Sequence, residues 1–542
     1  MKKPIVLAVF FFAISATHCQ PVINWTQHDT IQILSGEKWF GAAVNEGNNM
    51  PFKQGYCLNL FGDGKGNQAS PLLVSSKGRY IWSESPFSFC FEKNTLIISG
   101  IYDSLFVDNA GSTLAESYKL ASKRFFPASG KMPDSLLFSS PQYNTWIELK
   151  YNQNQHDILR YAHDIVNNGF PPGILMIDDN WFPYYGNFEF RKDRFEDPAL
   201  VINEIHQLGF KVMLWVSPFI SPDTEVFREL KEKKYLLLSK PTNSNHIEPG
   251  ILKPTIIEWW NGYSAVLDFT NPGAIKWYGQ QLAAIKENYG VDGYKFDAGD
   301  PEFYTDEKII FHRKVTPNEL TELWGIFGMS YPFNEYRSMW KNGNQPLAQR
   351  LRDKDHSWAD LQKIIPDITI GGLLGYGFSC PDMIGGGEIS SFDDTRQIDH
   401  KLIVRSAQCH ALMPMMQFSV APWRVLDSLE LAAIKKAINT RQGFMHYIKT
   451  LAFLNATTGE PIVRNMEYEF PNEGFSECKD QFMLGDSIMV TPVLDDTNSR
   501  LVLFPKGKWK GDDATLITGP TKKRIQVSLD RLPWFRLIKR IN

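Results

Sequence analysis

Hydrophobic and polar positions change rhythm twice along the 542-residue chain. Between residues 21 and 140, short alternating runs such as YCLNLFG and TLIISGIY are separated by turn clusters, GDGKGN and SSKG among them. Alternation with a period of two over so few residues predicts half-buried strands. GDGKGN reads as a hairpin turn, because a calcium loop needs further carboxylates that this stretch lacks. No helical period of useful length occurs before Leu114. An N-terminal β-sandwich over residues 20–140 follows.

From about residue 143 the rhythm becomes strand–helix alternation. GILMIDD (173–179) and FKVMLWV (210–216) are buried-strand runs. Asp197-Pro198 opens a helix that Gly209 closes, and Asn271-Pro272 opens another that Gly290 stops. The second helix is expected to bury Ile275, Leu282, Ile285 and Tyr289. The strand DGYKFD follows at once, and LAQRLRD (347–353), YGFSCPD (376–382) and PMMQFS (414–419) come later with helical segments between them. Buried strands alternating with capped helices predict an α/β fold, a (β/α)8 TIM barrel over residues 141–450. A doubly wound open sheet is the competitor, but no strand here leads into a GxGxxG or GxxxxGKS/T loop. Residues 451–542 return to β-structure, with FMLGDSIMVTPVL, RLVLFPKGKW and KRIQVSLDRL, and predict a C-terminal β-domain.

The first 19 residues, MKKPIVLAVFFFAISATHC, follow a signal-peptide pattern with maturation near Gln20. They imply a secreted, periplasmic or lumenal protein, with an uncleaved anchor as the alternative, and no stable membrane insertion is expected. A formal net charge of −3 argues against a nucleic-acid partner. Aromatic residues make up 13% of the chain, which suits either a large core or a surface that stacks on sugar rings. Five cysteines follow Cys19 without metal-ligand spacing, so no metal or other cofactor is expected; Cys57 and Cys90 could pair in an oxidising compartment. Asn24 and Asn455 begin glycosylation sequons.

The barrel strands repeatedly finish in acids: MIDD, KFDAGD, RLRDKD and CPD. In a barrel those ends share one face, where active sites are built. Within GVDGYKFDAGD, strand periodicity turns Tyr294 and Phe296 toward the helices and Gly293, Lys295 and Asp297 inward. Asp292 is expected to cap the turn after Gly290, while Asp300 lies past the strand without an assigned role. An inward Lys and Asp form a poor stabilising pair but a good catalytic one, since the lysine keeps the carboxylate charged. Glycoside hydrolysis needs such an ionised carboxylate and a second, protonated one. Asp353, Asp355 and Asp382 are the candidates for the second.

GVDGYKFDAGD resembles the nucleophile strand of glycoside hydrolase family 31. MIDDNW, DPALVINEIHQLGFKVMLWVSPFIS, DKDHSW, GYGFSCPDMIGG and QFMLGDSIMVTPVL match that family in order over about residues 140–500. The resemblance implies retaining α-glycosidases with Asp297 as nucleophile and Lys295 as a substrate contact. It implies Asp353 as acid/base, sixteen residues after Arg337, five before Trp358 and 29 before Asp382; Asp355 is the runner-up. Arg337, Asp178 (or Asp179, one register on), Trp215 and Asp382 are then expected at the sugar. Many members read WxGD at the acid/base and place a histidine on a late strand. Here the chain reads RLRD and MMQFSVAPW, with Gln417 and Trp423 as the expected sugar contacts. Both departures look more like the branch containing the myogenesis-regulating glycosidase, an α-galactosidase by activity. The expectation is therefore an exo-acting retaining α-galactosidase for an oligosaccharide or glycoconjugate. An α-glucosidase, a transglycosylase or a non-catalytic sugar-binding protein are the alternatives.

Overall fold

A computed structural model describes residues 28–101, 103–240, 252–393 and 397–541. The expected leader over 1–19, with Cys19, and the Asn24 sequon lie outside the described residues. Eight parallel strands form the centre: β1 Gln142–Asn144, β2 Ile174–Ile177, β3 Lys211–Val216, β4 Gly293–Phe296, β5 Phe333–Tyr336, β6 Gln349–Arg350, β7 Ser379–Cys380 and β8 Gln417–Phe418. Hydrogen bonds link them in the order β7-β6-β5-β4-β3-β2-β1-β8. A parallel bridge between Met383 and Gln417 then closes the ring. The strands are covered on the outside by helices, so both of their faces are buried; this is why they read as continuous apolar runs.

The main helices of the barrel are α1 Gln155–Asn167, α2 Pro198–Gln207, α3 Pro272–Tyr289, α4 Pro317–Gly328, α5 Ile364–Leu373, α6 His400–Ala411 and α7 Ser428–Thr458. The side chain of Asp197 accepts from the Leu200 amide at the start of α2, and Asn271 accepts from the Gly273 amide at the start of α3. Gly290 ends α3 at φ 79°, a left-handed conformation that glycine adopts without steric cost. The buried face of α3 carries Ala274, Trp277, Tyr278, Leu282 and Ile285, whereas Ile275 and Tyr289 are only half-buried. The two large aromatic rings turn the helix from its aliphatic stripe, because they bury more surface.

On β4 the expected alternation holds. The Tyr294 hydroxyl donates to the Leu282 carbonyl of α3 at 2.5 Å, and Phe296 packs on Trp324 of α4. Lys295 points inward, in register between Trp215 of β3 and Glu335 of β5. Asp292 does not cap its turn. It binds Lys211 and His206, each at 2.8 Å, and accepts from the Val212 amide, tying the entry of β4 to β3.

N-terminal to the barrel lie two antiparallel sheets. One orders His28–Gln32, Thr95–Ser99, Ser88–Glu92 and Cys57–Asn59; the other orders Trp39–Ala43, Gln68–Ser75, Arg79–Ser83 and Leu105–Asn109. A disulfide joins Cys57 to Cys90 on neighbouring strands. GDGKGN is not a hairpin turn, because the strands on its two sides belong to different sheets. It is a docking loop: Gly64 and Gly66 donate to Glu302 and Gly62 to Asn318, all beyond β4. The barrel segment Met339–Trp340 pairs in parallel with Gln68 and Ala69, and one hydrophobic core runs from Ile31 through the barrel. Helix α7 continues past residue 450 and buries Asn455, whose amide donates to Glu460 O, so this sequon is not presented on the surface. The C-terminal sheet has six strands, with a smaller core around Trp509.

At Gly328 helix α4 lies close against the barrel: a Cβ there would lie 2.1 Å from the Tyr336 hydroxyl and 2.6 Å from Phe296. Gly328→Ala is expected to cost about 1–3 kcal/mol by overpacking. An unchanged urea midpoint would contradict this packing.

Candidate active site

The C-terminal ends of the strands open onto a cavity of about 350 Å³. Asp178 and Asp179 after β2, Trp215 of β3, Lys295 of β4 and Asp297 just after it, Arg337 after β5, and Arg350 and Asp353 at β6 all line it. Of the ten residues expected at the sugar or the chemistry, seven meet here: Asp178, Asp179, Trp215, Lys295, Asp297, Arg337 and Asp353. Burial makes their pairing obligatory, because an unpaired charge removed from water costs several kcal/mol.

Lys295 Nζ lies 2.7 Å from Asp178 Oδ2 and 3.8 Å from Asp297 Oδ2. The Trp215 indole donates to Asp297 Oδ2 at 2.7 Å. Burial alone would raise the Asp297 pKa. The charges of Lys295, Arg337 and Arg350, with the Trp215 hydrogen bond, outweigh it and hold the carboxyl down at about 2. Asp179 has no such cation beside it, so burial pushes it up to about 7 while it accepts from Tyr185 and Asn261. The residue following Asp297, Ala298, has φ 55°; Asn180 and Asp382 at other strand ends have φ 77° and 79°. Left-handed backbone at non-glycine residues is strained and is retained where side chains must be aimed.

Arg350 organises the second acidic group. Its Nη1 donates to Asp353 Oδ1 and, at 2.8 Å, to Asp382 Oδ1, while its Nε stands 3.4 Å from Glu335. Asp353 also lies 4.0 Å from Arg337. Burial opposes ionisation of Asp353, but Arg350 and Arg337 bring its pKa below the ordinary value. Asp382, fully enclosed, is pushed by burial up to about 7. The two carboxyls share one guanidinium and titrate as a pair.

Three expected sugar contacts are misplaced. Asp382 stands behind Arg350 and accepts from the Lys354 amide at 2.8 Å, so it faces protein and not the cavity. Gln417 lies beneath the floor, donating to Glu335 at 2.7 Å and to Gln142 at 2.8 Å. Its contribution reaches the cavity only through Glu335 and Arg350. Trp423 is in the helical shell against Tyr161 and Phe170, since the chain turns outward after β8. Asp355 is exposed and accepts from Ser391 in a loop, while the unassigned Asp300 pairs with Arg337 at 3.4 Å.

The sequence reading missed Arg350, Arg352, Trp260, Trp146 and Tyr151, all at the cavity. The two arginines stand where the WxGD wording has Trp and Gly, so the departure was visible but its content was not. Trp260 comes from a hairpin between β3 and α3, is 46% exposed and has the Arg337 guanidinium 4.8 Å over its ring. It offers an aromatic face at the cavity mouth.

The N-terminal sheet also reaches the site. The Asn67 and Gln68 amides each donate to the carbonyls of both Arg337 and Arg350, at 2.7–3.1 Å. Two adjacent carboxamides thereby clamp the backbones of both cavity arginines. Because each carbonyl retains a second donor, Asn67→Ala and Gln68→Ala are expected to cost about 1 kcal/mol each, and the double variant about 1–3 kcal/mol beyond their sum. Additive urea-unfolding effects would show that the clamp does not act as a unit.

Comparison with known proteins agrees with this architecture. The profile of the glycosyl hydrolases family 31 TIM-barrel domain matches residues 138–451, and that of the family 31 C-terminal domain matches residues 459–536. Mouse myogenesis-regulating glycosidase is 31% identical over 440 residues, 78% of this chain and 60% of its own length. Alpha-glucosidase 2 of Bacillus thermoamyloliquefaciens is 24% identical, covering 81% of this chain and 60% of its own. The chain thus spans about 60% of the length of these curated relatives. A dextranase from Flavobacterium johnsoniae, solved with glucose, superposes with a TM-score of 0.81 at 18% identity over 95% of this chain and 67% of its own. A strand-end acid cavity in a closed barrel, two matching domain profiles and a relative above 30% identity agree: the chain belongs to glycoside hydrolase family 31.

Proposed function

We propose that the chain is an exo-acting retaining α-glycosidase releasing a terminal α-linked hexose from an oligosaccharide or glycoconjugate. The observation that carries this reading is the electrostatic split between Asp297, held ionised at about 2, and the Asp353–Asp382 pair, which keeps a proton near neutrality. Asp297 attacks the anomeric carbon as the bond to the leaving oxygen breaks, and Asp353 delivers the pair's proton to that oxygen. The resulting glycosyl ester is cleaved when Asp353, now a base, takes a proton from water whose oxygen attacks the same carbon. One glycosidic bond and one water become a free sugar and an alcohol. The buried Asp178–Lys295 pair that lines the cavity is consistent with a pocket for a terminal sugar. A secreted or lumenal location suits the Cys57–Cys90 disulfide.

Galactose is the proposed sugar, on the wording of RLRD and MMQFSVAPW and the likeness to the myogenesis-regulating glycosidase. Glucose is the second reading, favoured by the likeness to proteins named alpha-glucosidase. Paired kcat/KM values on 4-nitrophenyl α-galactoside and α-glucoside decide between them.

Asp297→Asn is expected to lower turnover at least about a thousandfold with the fold intact by circular dichroism. Normal turnover in that variant would sink the assignment. The acid must be protonated and the nucleophile ionised, so kcat/KM falls as pH rises through the pair's value of about 7, while the acid limb lies near 2. Asp382→Asn removes the carboxyl that shares the pair's proton with Asp353 and is expected to move the alkaline limb down. A limb that does not move would exclude the shared proton.

A further inference from the structure

Arg352 stands at the lip between two openings. It lines the acid-floored cavity and also a second cavity of about 440 Å³ at the rim, where Trp260 and Arg337 line both as well. Arg337 and Arg350 are committed to carboxylates, and Lys295 to Asp178 and Asp297. Arg352 differs: it is exposed and makes no ion pair or hydrogen bond among the described residues. The acids of the rim cavity each have a partner, although Glu302 Oε2 and Asp300 Oδ2 are buried without one among the described residues. Glu302 accepts from the amides of Gly64 and Gly66, Glu46 from Tyr56 and Asn49, and Asp300 from Arg337. Lys65, also at the rim, is paired with Asp63 at 2.6 Å. The uncommitted charge at the rim is therefore positive.

The geometry adds a shape to that charge. A Cβ placed on Gly66 would come 3.5 Å from Arg352 Nη1 and 3.7 Å from Arg337 Nη2. Two guanidinium groups thus border one small gap, which stays open because residue 66, at φ 64°, has no side chain. Guanidinium groups are planar forked donors, and two beside one gap suit the oxygens of a carboxylate, sulfate or phosphate. Arg352 immediately precedes Asp353, so this gap opens on the side of the acid, where the leaving group sits in the proposed mechanism.

We propose that the rim is a leaving-group subsite for an oxyanion, a carboxylate, sulfate or phosphate carried by the aglycone, with Arg352 as the residue that holds it. The assignment of this side to the leaving group rests on the α-glycosidase reading above. The substrates would accordingly be acidic glycoconjugates or oligosaccharides with an acidic second unit, and not neutral chains alone.

The test compares the 4-carboxyphenyl and 4-carbamoylphenyl α-glycosides of whichever hexose the paired assay selects. The two probes differ in charge and little in shape. At low ionic strength, kcat/KM is expected to favour the carboxylate by about tenfold, the scale of one charge-assisted hydrogen bond at a partly exposed site. The preference should fall toward one in Arg352→Ala, persist in part in Arg352→Lys, and weaken with added salt. A wild-type ratio of one, or a ratio that Arg352→Ala leaves unchanged, overturns the proposal. Calorimetric binding of both probes to Asp297→Asn separates the two claims. If neither probe is hydrolysed by the unaltered enzyme, the glycosidase reading fails, while a carboxylate preference in binding that Arg352→Ala removes still supports the oxyanion subsite. Equal binding of both probes excludes it.

Discussion

Seven carboxyl groups, from Asp178, Asp179, Asp297, Asp300, Glu335, Asp353 and Asp382, meet three cations, Lys295, Arg337 and Arg350, at the C-terminal end of the barrel strands. So many buried charges cannot all stay ionised, and the way they settle governs the rest of the site. The surrounding cations hold Asp297 down at about 2 and bring Asp353, which titrates with Asp382, below its ordinary value. Burial pushes Asp179, Asp300, Glu335 and Asp382 toward their neutral forms. An unequal sharing of protons among chemically similar groups is what acid–base work at one pH requires. Compared with apolar packing, the network contributes little to stability; its worth lies in fixing which carboxyl carries a proton.

The network dictates what surrounds it. Arg350 is held by Glu335, which Gln417 holds in turn, so a barrel-floor amide ends in a cavity guanidinium. The N-terminal sheet supplies the other constraint through Asn67 and Gln68, which fix the backbones of both arginines from a separate fold layer. That explains why this region shares one core with the barrel and adds the Met339–Trp340 pairing to its sheet. A loop that read as a plain turn is part of the architecture around the cavity.

Much of this was legible from local pattern. Caps at Asp197 and Asn271, the stop at Gly290 and the inward alternation of Lys295 and Asp297 are properties of a few consecutive residues, so a single sequence can show them. The errors share one cause. Gln417, Asp382 and Trp423 were expected at the sugar from the family resemblance, and on or beside two-residue strands a matched position does not tell a residue in the cavity from one below its floor or outside the wall. The Asp292 and GDGKGN readings failed because each residue found a distant partner stronger than its local one.

The sequence by itself determined the barrel, its flanking β-regions and the acidic strand ends, because periodicity, capping and the cost of burying charge act locally and leave marks in order along the chain. Only the tertiary structure decided which acids are ionised, which arginine binds them, and that Trp260, Arg352 and the Asn67–Gln68 clamp border the same cavity. These depend on distances between separate segments, from the 117 positions between Asp178 and Lys295 to the 283 between Asn67 and Arg350. Electrostatic shifts follow from such distances and from burial, and neither is written in residue order.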